Sequence, residues 1–300
     1  MSQNATQIRA QVWTGGLNFE QREIAAPQLA SGESLIRLRA ATMCGSDFHT
    51  VLGRRQQPCP SILGHEGVGM VEETRNPALR VGQRVTFSVT APCGRCRRCR
   101  TGMTAKCLSV LKTGHEAFDS IWPLSGTYAT HVVLRENQPV IAVPDELGDA
   151  PASIASCAGA TVAAASEAAG GIENLQGARV LVVGVGMLGL VAVDEAIRAG
   201  AQVVAMEPNA ERRELATALG ATAVPGEESL EQESFDVCLE LSGTQAGVGT
   251  CMQRLDIGAR AVLVGSVATS PAVDLDPEWI VRGWRTVTGV HNYEPRHLER

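Results

Sequence analysis

Four closely spaced cysteines form the clearest chemical pattern in the chain. Cys93, Cys96, Cys99 and Cys107 lie in the segment CGRCRRCRTGMTAKC. Zn²⁺ prefers tetrahedral thiolate coordination, and a closed four-cysteine site is structural rather than catalytic. In a secreted chain the same residues could pair as disulfides, but the N-terminus MSQNATQIRA has no signal-peptide pattern. We therefore predict a structural zinc lobe at residues 93–107 in a cytoplasmic protein.

Arginines alternate with these cysteines and allow a second interpretation. Arg95, Arg97, Arg98 and Arg100 could belong to a nucleic-acid-binding zinc module, or to a solvated face that offsets the thiolate charges. The whole chain has 26 basic and 32 acidic residues, a net charge of −6. Nucleic acids and anionic membranes both need a basic protein field. We therefore predict a solvated face, with neither nucleic acid nor membrane as partner.

Three scattered residues are candidate ligands of a second, catalytic zinc. Cys44 lies in CGSDFH, His65 in GHE and Cys157 in SCAGAT. A catalytic zinc keeps one position open for water or substrate, so three protein ligands are expected. The distances along the sequence do not show that the three converge. Taken singly, each residue has the alternative of being an ordinary core side chain.

A glycine pattern predicts a dinucleotide site. Gly184, Gly186 and Gly189 form G-x-G-x-x-G between an apolar run, ARVLVVGVG, and a helical segment. In this context the glycines permit a tight turn, approach of the pyrophosphate and close packing of helix on strand, and the helix N-terminus offers N–H groups to the anion.

An acidic residue is expected at the end of the next strand, and Glu207 is there. A carboxylate accepts hydrogen bonds from the ribose hydroxyls and repels a 2′-phosphate, which favours NAD over NADP. Arg212 and Arg213 leave NADP open, because either could reach a phosphate. The alternative for Glu207 is a surface carboxylate at a strand end.

The elements that must position these residues fall into two regions. A chain of 300 residues with 44% hydrophobic content is long enough for two domains. Short β-branched runs such as ESLIRLRAAT, GVGMVEE and YATHVVL predict a β-rich first half. An alanine-rich helical segment follows, and strands then alternate with helices up to RTVTGV, which is typical of a doubly wound parallel sheet.

Together these motifs resemble the zinc-dependent medium-chain alcohol dehydrogenases of the medium-chain dehydrogenase/reductase superfamily. The residues that carry the resemblance are Cys44-Gly45-Ser46-Asp47 with His49, Gly64-His65-Glu66, the four-cysteine lobe, Cys157 with Thr161, and the glycine motif with Glu207. The resemblance implies an α/β fold in which a Rossmann sheet, residues 151–290, follows a GroES-like catalytic domain, residues 1–150. Residues 291–300 would begin the return to the catalytic domain, whose C-terminal end we interpret as truncated.

The resemblance also implies a role for each residue. Cys44, His65 and Cys157 would hold the catalytic zinc, although much of the sorbitol- and threonine-type branch has a carboxylate at the third position. Glu66 would orient the ligands or serve as an alternate ligand. Ser46 would hydrogen-bond the alcohol, and His49 would relay its proton. The residues expected to contact the dinucleotide are Gly184, Gly186, Met187, Leu188, Gly189, Glu207, Arg212, Thr161, Gly265, Ser266 and Val267.

We therefore predict an alcohol dehydrogenase that uses NAD and two zinc ions and forms a dimer or tetramer. A zinc-free reductase, or a non-catalytic interaction protein of the same fold, is the alternative. Arg54 and Arg55 follow CGSDFH and could meet an anionic substrate or simply be solvated. The stretches GRRQQPCPSILGHEGVG and GVHNYEPRHL resemble a branch associated with phosphonate catabolism, which would favour a hydroxyalkylphosphonate.

Overall fold

The computed structural model describes residues 7–230 and 233–300. The first six residues, part of the N-terminus that we interpreted as free of a signal pattern, lie outside the described residues. The chain divides into two units: the described chain up to Ala160 together with Glu294–Arg300, and Thr161–Tyr293. In the described ranges, no helix combines the length and the apolar character needed to cross a bilayer.

Sixteen strands are described. In chain order they are β1 Gln7–Gly15, β2 Asn18–Ala25, β3 Ser34–Thr42, β4 Ser61–Ile62, β5 Glu66–Thr74, β6 Arg84–Phe87, β7 Thr90–Ala91, β8 Leu111–Lys112, β9 His131–Leu134, β10 Val140–Ala142, β11 Arg179–Val183, β12 Gln202–Met206, β13 Thr222–Val224, β14 Phe235–Glu240, β15 Leu255–Leu263 and β16 Thr286–Gly289.

Nine α-helices are described with them. They are α1 Gly45–Val51, α2 Arg97–Arg100, α3 Asp149–Ile154, α4 Ala160–Ala168, α5 Met187–Arg198, α6 Ala210–Ala218, α7 Gln245–Gln253, α8 Pro277–Gly283 and α9 Pro295–Glu299. A π-helical turn, Ala155–Gly159, joins α3 to α4. Turns of this kind are rare and are frequent at functional sites.

The first unit is β-rich, as the β-branched runs predict. Its largest sheet has the order β10-β6-β5-β3-β9, and a second has the order β2-β1-β4. All described pairings in these sheets are antiparallel. Alternate residues of β3, β5, β6 and β9 pack into one apolar cluster that includes Ile36, Val71, Phe87 and Val132. This packing fixes the register of β3 against β5.

The second unit contains the predicted doubly wound sheet. Its order is β13-β12-β11-β14-β15-β16, and every described pair is parallel. Along β11, Val180 and Val182 pack into one core cluster, whereas Leu181 and Val183 pack into another. A strand with both faces buried requires helices on both sides of the sheet. The strand order reverses at β11, so the crevice at its carboxyl end is where ligands of such sheets bind.

Candidate zinc and dinucleotide sites

One buried cluster gathers the scattered candidate ligands of the first unit. Cys44 precedes α1, His65 precedes β5, Glu66 begins β5 and Cys157 lies in the π-helical turn. Each offers one ligand atom, and these atoms all lie within 4.8 Å of one another. We call these four residues the buried cluster. The structure thus brings together the three residues whose convergence the sequence left open, with Glu66 as a fourth.

Strand register and hydrogen bonds hold the buried cluster together. In the β3–β5 ladder Thr42 pairs with Glu66, so Cys44, two residues beyond β3, comes next to the start of β5. The Thr42 hydroxyl donates to Glu66 Oε2 at 2.5 Å. The Gly67 N–H donates to Ser156 Oγ at 3.3 Å and ties β5 to the turn that carries Cys157.

Asp47 connects two of the candidate ligands. Its Oδ2 accepts hydrogen bonds from the Cys44 N–H and from the Tyr128 hydroxyl, both at 3.0 Å. Its Oδ1 lies 3.6 Å from His65 Nδ1, an ion-pair distance. A carboxylate behind a ligating imidazole orients the ring and raises its basicity. Asp47 is itself buried, so its position is determined by these contacts.

The electrostatics of the buried cluster favour ionisation of one thiol, that of Cys44. The contact with Cys157, aided by His65 against the effect of burial, lowers the pKa of Cys44 to about 3. The Cys44 thiolate and burial raise the pKa of Cys157. Although burial alone would lower it, the contacts with Asp47 and Cys44 raise the pKa of His65 to about 10. Cys44 is therefore a thiolate at neutral pH, and a thiolate is the form that binds metal.

The donor chemistry fits zinc. Two sulfurs, an imidazole nitrogen and a carboxylate oxygen are the atoms that bind this borderline-soft ion in proteins. Burial raises the pKa of Glu66, despite the hydrogen bond from Thr42. Glu66 therefore binds as an anion less readily than an exposed carboxylate would, which suits a position near the metal that can be left open.

The four-cysteine lobe forms a second cluster. The sulfurs of Cys93, Cys96, Cys99 and Cys107 also lie within 4.8 Å of one another. Cys96 Sγ is 3.5 Å from Cys99 Sγ and 3.9 Å from Cys107 Sγ. All nine cysteines of the chain are free thiols, so the disulfide alternative is absent here. The four arginines of the lobe are exposed; they are Arg95, Arg97, Arg98 and Arg100.

Backbone N–H groups favour the thiolate form of one cysteine in the lobe. N–H groups of Arg95 and Cys96 lower the pKa of Cys93 to about 6. Burial and the neighbouring sulfurs raise the pKa of Cys99 to about 12. One low and one high value are expected where several thiols crowd together, since they cannot all ionise without a cation. The lobe thus fits a zinc ion held by four thiolates.

The glycine motif of the second unit has the geometry of a phosphate-binding turn. Gly184 has φ +89°, and a Cβ there would lie 2.7 Å from the Ser242 backbone. A Cβ on Gly189 would lie 2.1 Å from the Gly184 carbonyl oxygen. At Gly186 a Cβ would meet nothing within 4 Å. The first and third glycines are therefore required by the turn and the packing, whereas the second faces open space that a pyrophosphate can occupy.

Glu207 lies at the end of β12 and bonds to that same turn. Its carboxylate accepts the N–H groups of Val185 at 2.8 Å and Asn209 at 3.0 Å. Arg212 Nη1 is 3.9 Å from Glu207 Oε1. Arg213 Nη1 donates instead to the Glu207 carbonyl at 2.8 Å. The carboxylate is buried, so it is not the surface residue of the alternative interpretation.

The remaining predicted dinucleotide residues lie at several places in the second unit. Gly265 follows β15, and a Cβ there would lie 2.3 Å from Gly243 N, so Gly265, Ser266 and Val267 border the loop that packs on Gly184. Met187 and Leu188 form the first turn of α5. Thr161 is a buried residue of α4, and no described contact joins it to the glycine motif.

Ser46 and His49, the predicted proton-relay residues, both lie on α1 beside Cys44. Ser46 contributes to the low pKa of the Cys44 thiol through a hydrogen bond. His49 Nδ1 is buried without a hydrogen-bond partner. In the described chain no hydrogen bond joins the two side chains to each other.

Several contributors were not singled out from the sequence. They are Thr42, Tyr128, Ser156, His115 and Glu294. For His115 a signal was present, because Gly114-His115-Glu116 repeats the tripeptide Gly64-His65-Glu66. For the others no local pattern marks the role.

Comparisons with known proteins agree with this geometry. The family model for the alcohol dehydrogenase GroES-like domain matches residues 30–145, and the model for zinc-binding dehydrogenases matches residues 187–300. The L-threonine 3-dehydrogenase of Vibrio parahaemolyticus is 30% identical over 276 residues, which are 86% of this chain and 75% of that protein.

Solved structures show the same fold. An alcohol dehydrogenase from Thermotoga maritima superposes with a TM-score of 0.88 at 24% identity, covering 98% of this chain and 87% of that one. The alcohol dehydrogenase of Thermus sp. ATN1 gives a TM-score of 0.85 at 26% identity, with 97% and 86% covered. The predictions of fold, enzyme class and family are confirmed, and the chain belongs to the zinc-dependent alcohol dehydrogenases of the medium-chain dehydrogenase/reductase family.

Proposed function

We propose that this oxidoreductase oxidises a hydroxylated substrate with NAD at a zinc ion held by Cys44, His65 and Cys157. The observation that carries the proposal is the convergence of these side chains, whose ligand atoms lie within 4.8 Å of one another. The lowered pKa of Cys44 supports it. When bound, zinc supplies Lewis acidity that lowers the pKa of an alcohol.

The chain's own residues orient the ligands and move the proton. Asp47 fixes the His65 ring and is itself held by the Tyr128 hydroxyl. Ser46, two residues after Cys44, hydrogen-bonds the alcohol and relays its proton by giving up the proton of its own hydroxyl. His49, with its buried Nδ1 unpaired, passes that proton toward solvent. An imidazole suits this task because its two ring nitrogens can accept a proton on one side and donate one on the other.

A second zinc in the four-cysteine lobe completes the proposed metal content. The lobe offers four sulfurs and no further ligand, so it has no position for substrate. Its role is to hold the segment from Cys93 to Cys107 in one conformation.

NAD is the proposed dinucleotide, and Glu207 supports it. A buried carboxylate directly behind the glycine turn repels the 2′-phosphate of NADP. Arg213 is engaged with backbone carbonyls and is not free to receive a phosphate.

An anionic substituent on the substrate is the finer part of the proposal. The relatives identified as L-threonine 3-dehydrogenases have names that specify a hydroxylated, carboxylate-bearing substrate. The resemblance of two segments to a phosphonate-associated branch points to an anionic group as well. A hydroxyalkylphosphonate and a hydroxycarboxylate share this chemistry.

The test is metal analysis combined with a panel of alcohols. We expect about two zinc ions per chain and formation of NADH that a strong chelator abolishes. Ratios of kcat/KM should favour NAD over NADP, and Glu207→Ala should narrow that ratio. A zinc-loaded protein that reduces neither dinucleotide with any alcohol would refute the proposal. A preference for NADP would refute the cofactor assignment alone.

A further inference from the structure

Three segments of the first unit meet beside His65. They are Gly64-His65, the turn from Lys112 to Glu116, and the segment that follows α1. A Cβ on Gly114 would lie 2.2 Å from the Gly64 carbonyl oxygen, so the first two backbones are in direct contact. The rings of His65 and His115 lie 5.3 Å apart between centroids, at an angle of 50°. The turn from Lys112 to Glu116 therefore lies against the buried cluster.

The segment after α1 is fixed against this turn. Gln57 Nε2 donates to the Gly114 carbonyl oxygen at 2.7 Å. The N–H groups of Arg54 and Arg55 donate to the His49 carbonyl oxygen at 2.8 and 3.2 Å. Both ends of the short stretch are thus anchored. Arg54 is exposed, whereas Arg55 is half-buried.

Lys112 and His115 are the two ends of a tight turn. The His115 N–H donates to the Lys112 carbonyl oxygen at 3.1 Å. The Lys112 N–H donates to Glu116 Oε1 at 2.8 Å. His115 Nδ1 lies 2.6 Å from the Thr113 carbonyl oxygen, which fixes the ring. Lys112 is therefore joined through one turn to the imidazole that contacts His65.

Arg55 and Lys112 are half-buried cations on two segments that the hydrogen bond from Gln57 to Gly114 joins. Burial lowers the pKa of Lys112, and the charges of Arg55 and Lys106 lower it further, while Glu116 acts in the opposite direction. The charge of Arg55 thus acts on Lys112.

Neither cation has a direct ion-pair partner among the described residues, although the charge of Glu116 acts on Lys112. Within residues 7–230 and 233–300, no carboxylate oxygen lies within 4.0 Å of the Arg55 guanidinium or the Lys112 ammonium. Two partly desolvated like charges without a counter-ion are unfavourable, and an anion placed between them relieves both the desolvation and the repulsion.

We propose that Arg55 and Lys112 form an anion-binding subsite beside His65 that receives the anionic group of the hydroxylated substrate. This inference rests on the proposed function, since it supplies the anionic substrate with its binding groups. The sequence did not distinguish Arg54 from Arg55. In this proposal Arg55 belongs to the subsite, and Arg54 belongs to the solvated surface. Lys112, which no sequence pattern marked, is the second cation.

The experiment compares three substrates that share a primary alcohol: 2-hydroxyethylphosphonate, 3-hydroxypropanoate and 1-propanol. In Arg55→Gln and in Lys112→Gln we expect kcat/KM for the two anionic substrates to fall about 10- to 100-fold, as for a lost charge-assisted hydrogen bond. The loss should lie mainly in KM. The value for 1-propanol should change less than about twofold, because uniform binding of the alcohol is not affected.

Two further variants control for charge and folding. Arg54→Gln removes the same charge one residue away and should leave kcat/KM for the phosphonate within about threefold. Lys112→Arg keeps the charge and should restore most of the loss, although its geometry differs. Equal losses for anionic and neutral substrates, or equal losses in Arg54→Gln and Arg55→Gln, would overturn the subsite.

A binding measurement separates this inference from the proposed function. Calorimetric titration of the zinc-loaded protein with 2-hydroxyethylphosphonate and with inorganic phosphate needs no turnover. We expect binding that weakens at least about tenfold in the Arg55→Gln/Lys112→Gln double variant. Unchanged or absent binding overturns the subsite even if alcohols are oxidised. Binding that depends on both cations supports it even if NAD is not reduced. In the kinetic comparison, a larger loss of kcat/KM for 2-hydroxyethylphosphonate than for 3-hydroxypropanoate would support a subsite that prefers a dianion.

Discussion

The two cysteine clusters each gather four candidate ligand atoms within 4.8 Å, yet they are built differently. The lobe takes all its ligands from one local segment, and backbone N–H groups lower the pKa of Cys93 and Cys96. The buried cluster takes its ligands from three separate segments, and side chains such as Asp47 and Thr42 hold them.

The difference is what we expect if the same metal serves a structural purpose in one cluster and a catalytic purpose in the other. A site made by one segment with four identical ligands closes completely around the ion, so its binding energy stabilises the local fold. A site made by several elements with mixed ligands depends on the whole unit for its geometry, and we propose that substrate binds beside it. We therefore expect a variant in the buried cluster to reduce activity more than stability, and a variant in the lobe to reduce stability more than activity.

The largest expected effect is that of Cys157→Ala. It removes one of three proposed ligands of the catalytic zinc, so metal content should fall from about two ions to about one per chain, and kcat/KM should fall at least about 1,000-fold. The melting temperature should change little, because the lobe is intact. Metal analysis and steady-state kinetics measure this, with Cys59→Ala, an exposed thiol outside both clusters, as control. Retention of both zinc and activity would contradict the role.

Cys99→Ala should reduce stability more than activity. One thiolate of the closed lobe is lost, so the lobe zinc leaves and the free energy of unfolding falls by about 4–5 kcal/mol, in the range of single substitutions that remove a metal. The zinc of the buried cluster should remain. Calorimetric unfolding and metal analysis test this, and a variant that loses activity at low temperature while keeping its melting temperature would show that the two clusters are not separable in this way.

The sequence predicted the parts of each site that are local. The lobe and the glycine turn depend on short spacings, and the structure contains both where the motifs predict them. The alternating strands and helices of the second unit were predictable for the same reason. Apolar runs bounded by glycines specify a parallel sheet whatever its partners are.

The contacts that connect distant segments were not predictable. Thr42 and Glu66 are 24 residues apart, Asp47 and Tyr128 are 81 apart, and Thr104 and Glu294 are 190 apart. A threonine, a tyrosine or a glutamate has many uses in a fold, so its type alone does not reveal its partner. These contacts follow from strand register and from the path of the chain, which no single sequence window contains.

Tyr128→Phe should weaken the buried cluster without affecting the lobe. The variant removes the hydroxyl that donates to Asp47 Oδ2 and leaves the ring in place. Losing a partner behind a metal ligand costs about 10- to 100-fold in metal affinity. Competition with a chelator should therefore release the zinc of the buried cluster at a lower chelator concentration than in the wild type. The chelator concentration that releases the lobe zinc should be unchanged. Equal weakening of both zinc ions, or of neither, would contradict the pairing of Tyr128 with the buried cluster.

Glu294→Gln should give the smallest effect and should act on the lobe alone. The Glu294 carboxylate accepts hydrogen bonds from the Thr104 N–H at 2.9 Å, the Ala105 N–H at 3.0 Å and the Thr104 hydroxyl. Glutamine keeps an acceptor but loses the charge, which weakens these bonds by about 1 kcal/mol in total.

That loss should speed release of the lobe zinc to a chelator about fivefold, as the part of the lobe around Thr104 is held less tightly. Turnover with saturating alcohol should stay the same. Glu299→Gln is the matched control, because it changes an exposed glutamate at the end of α9, the helix that Glu294 precedes. This variant should release the lobe zinc at the wild-type rate. If Glu294→Gln instead slowed turnover and left zinc release unchanged, the C-terminal residues would belong with the buried cluster, and the division between a local lobe and an assembled catalytic cluster would have to be redrawn.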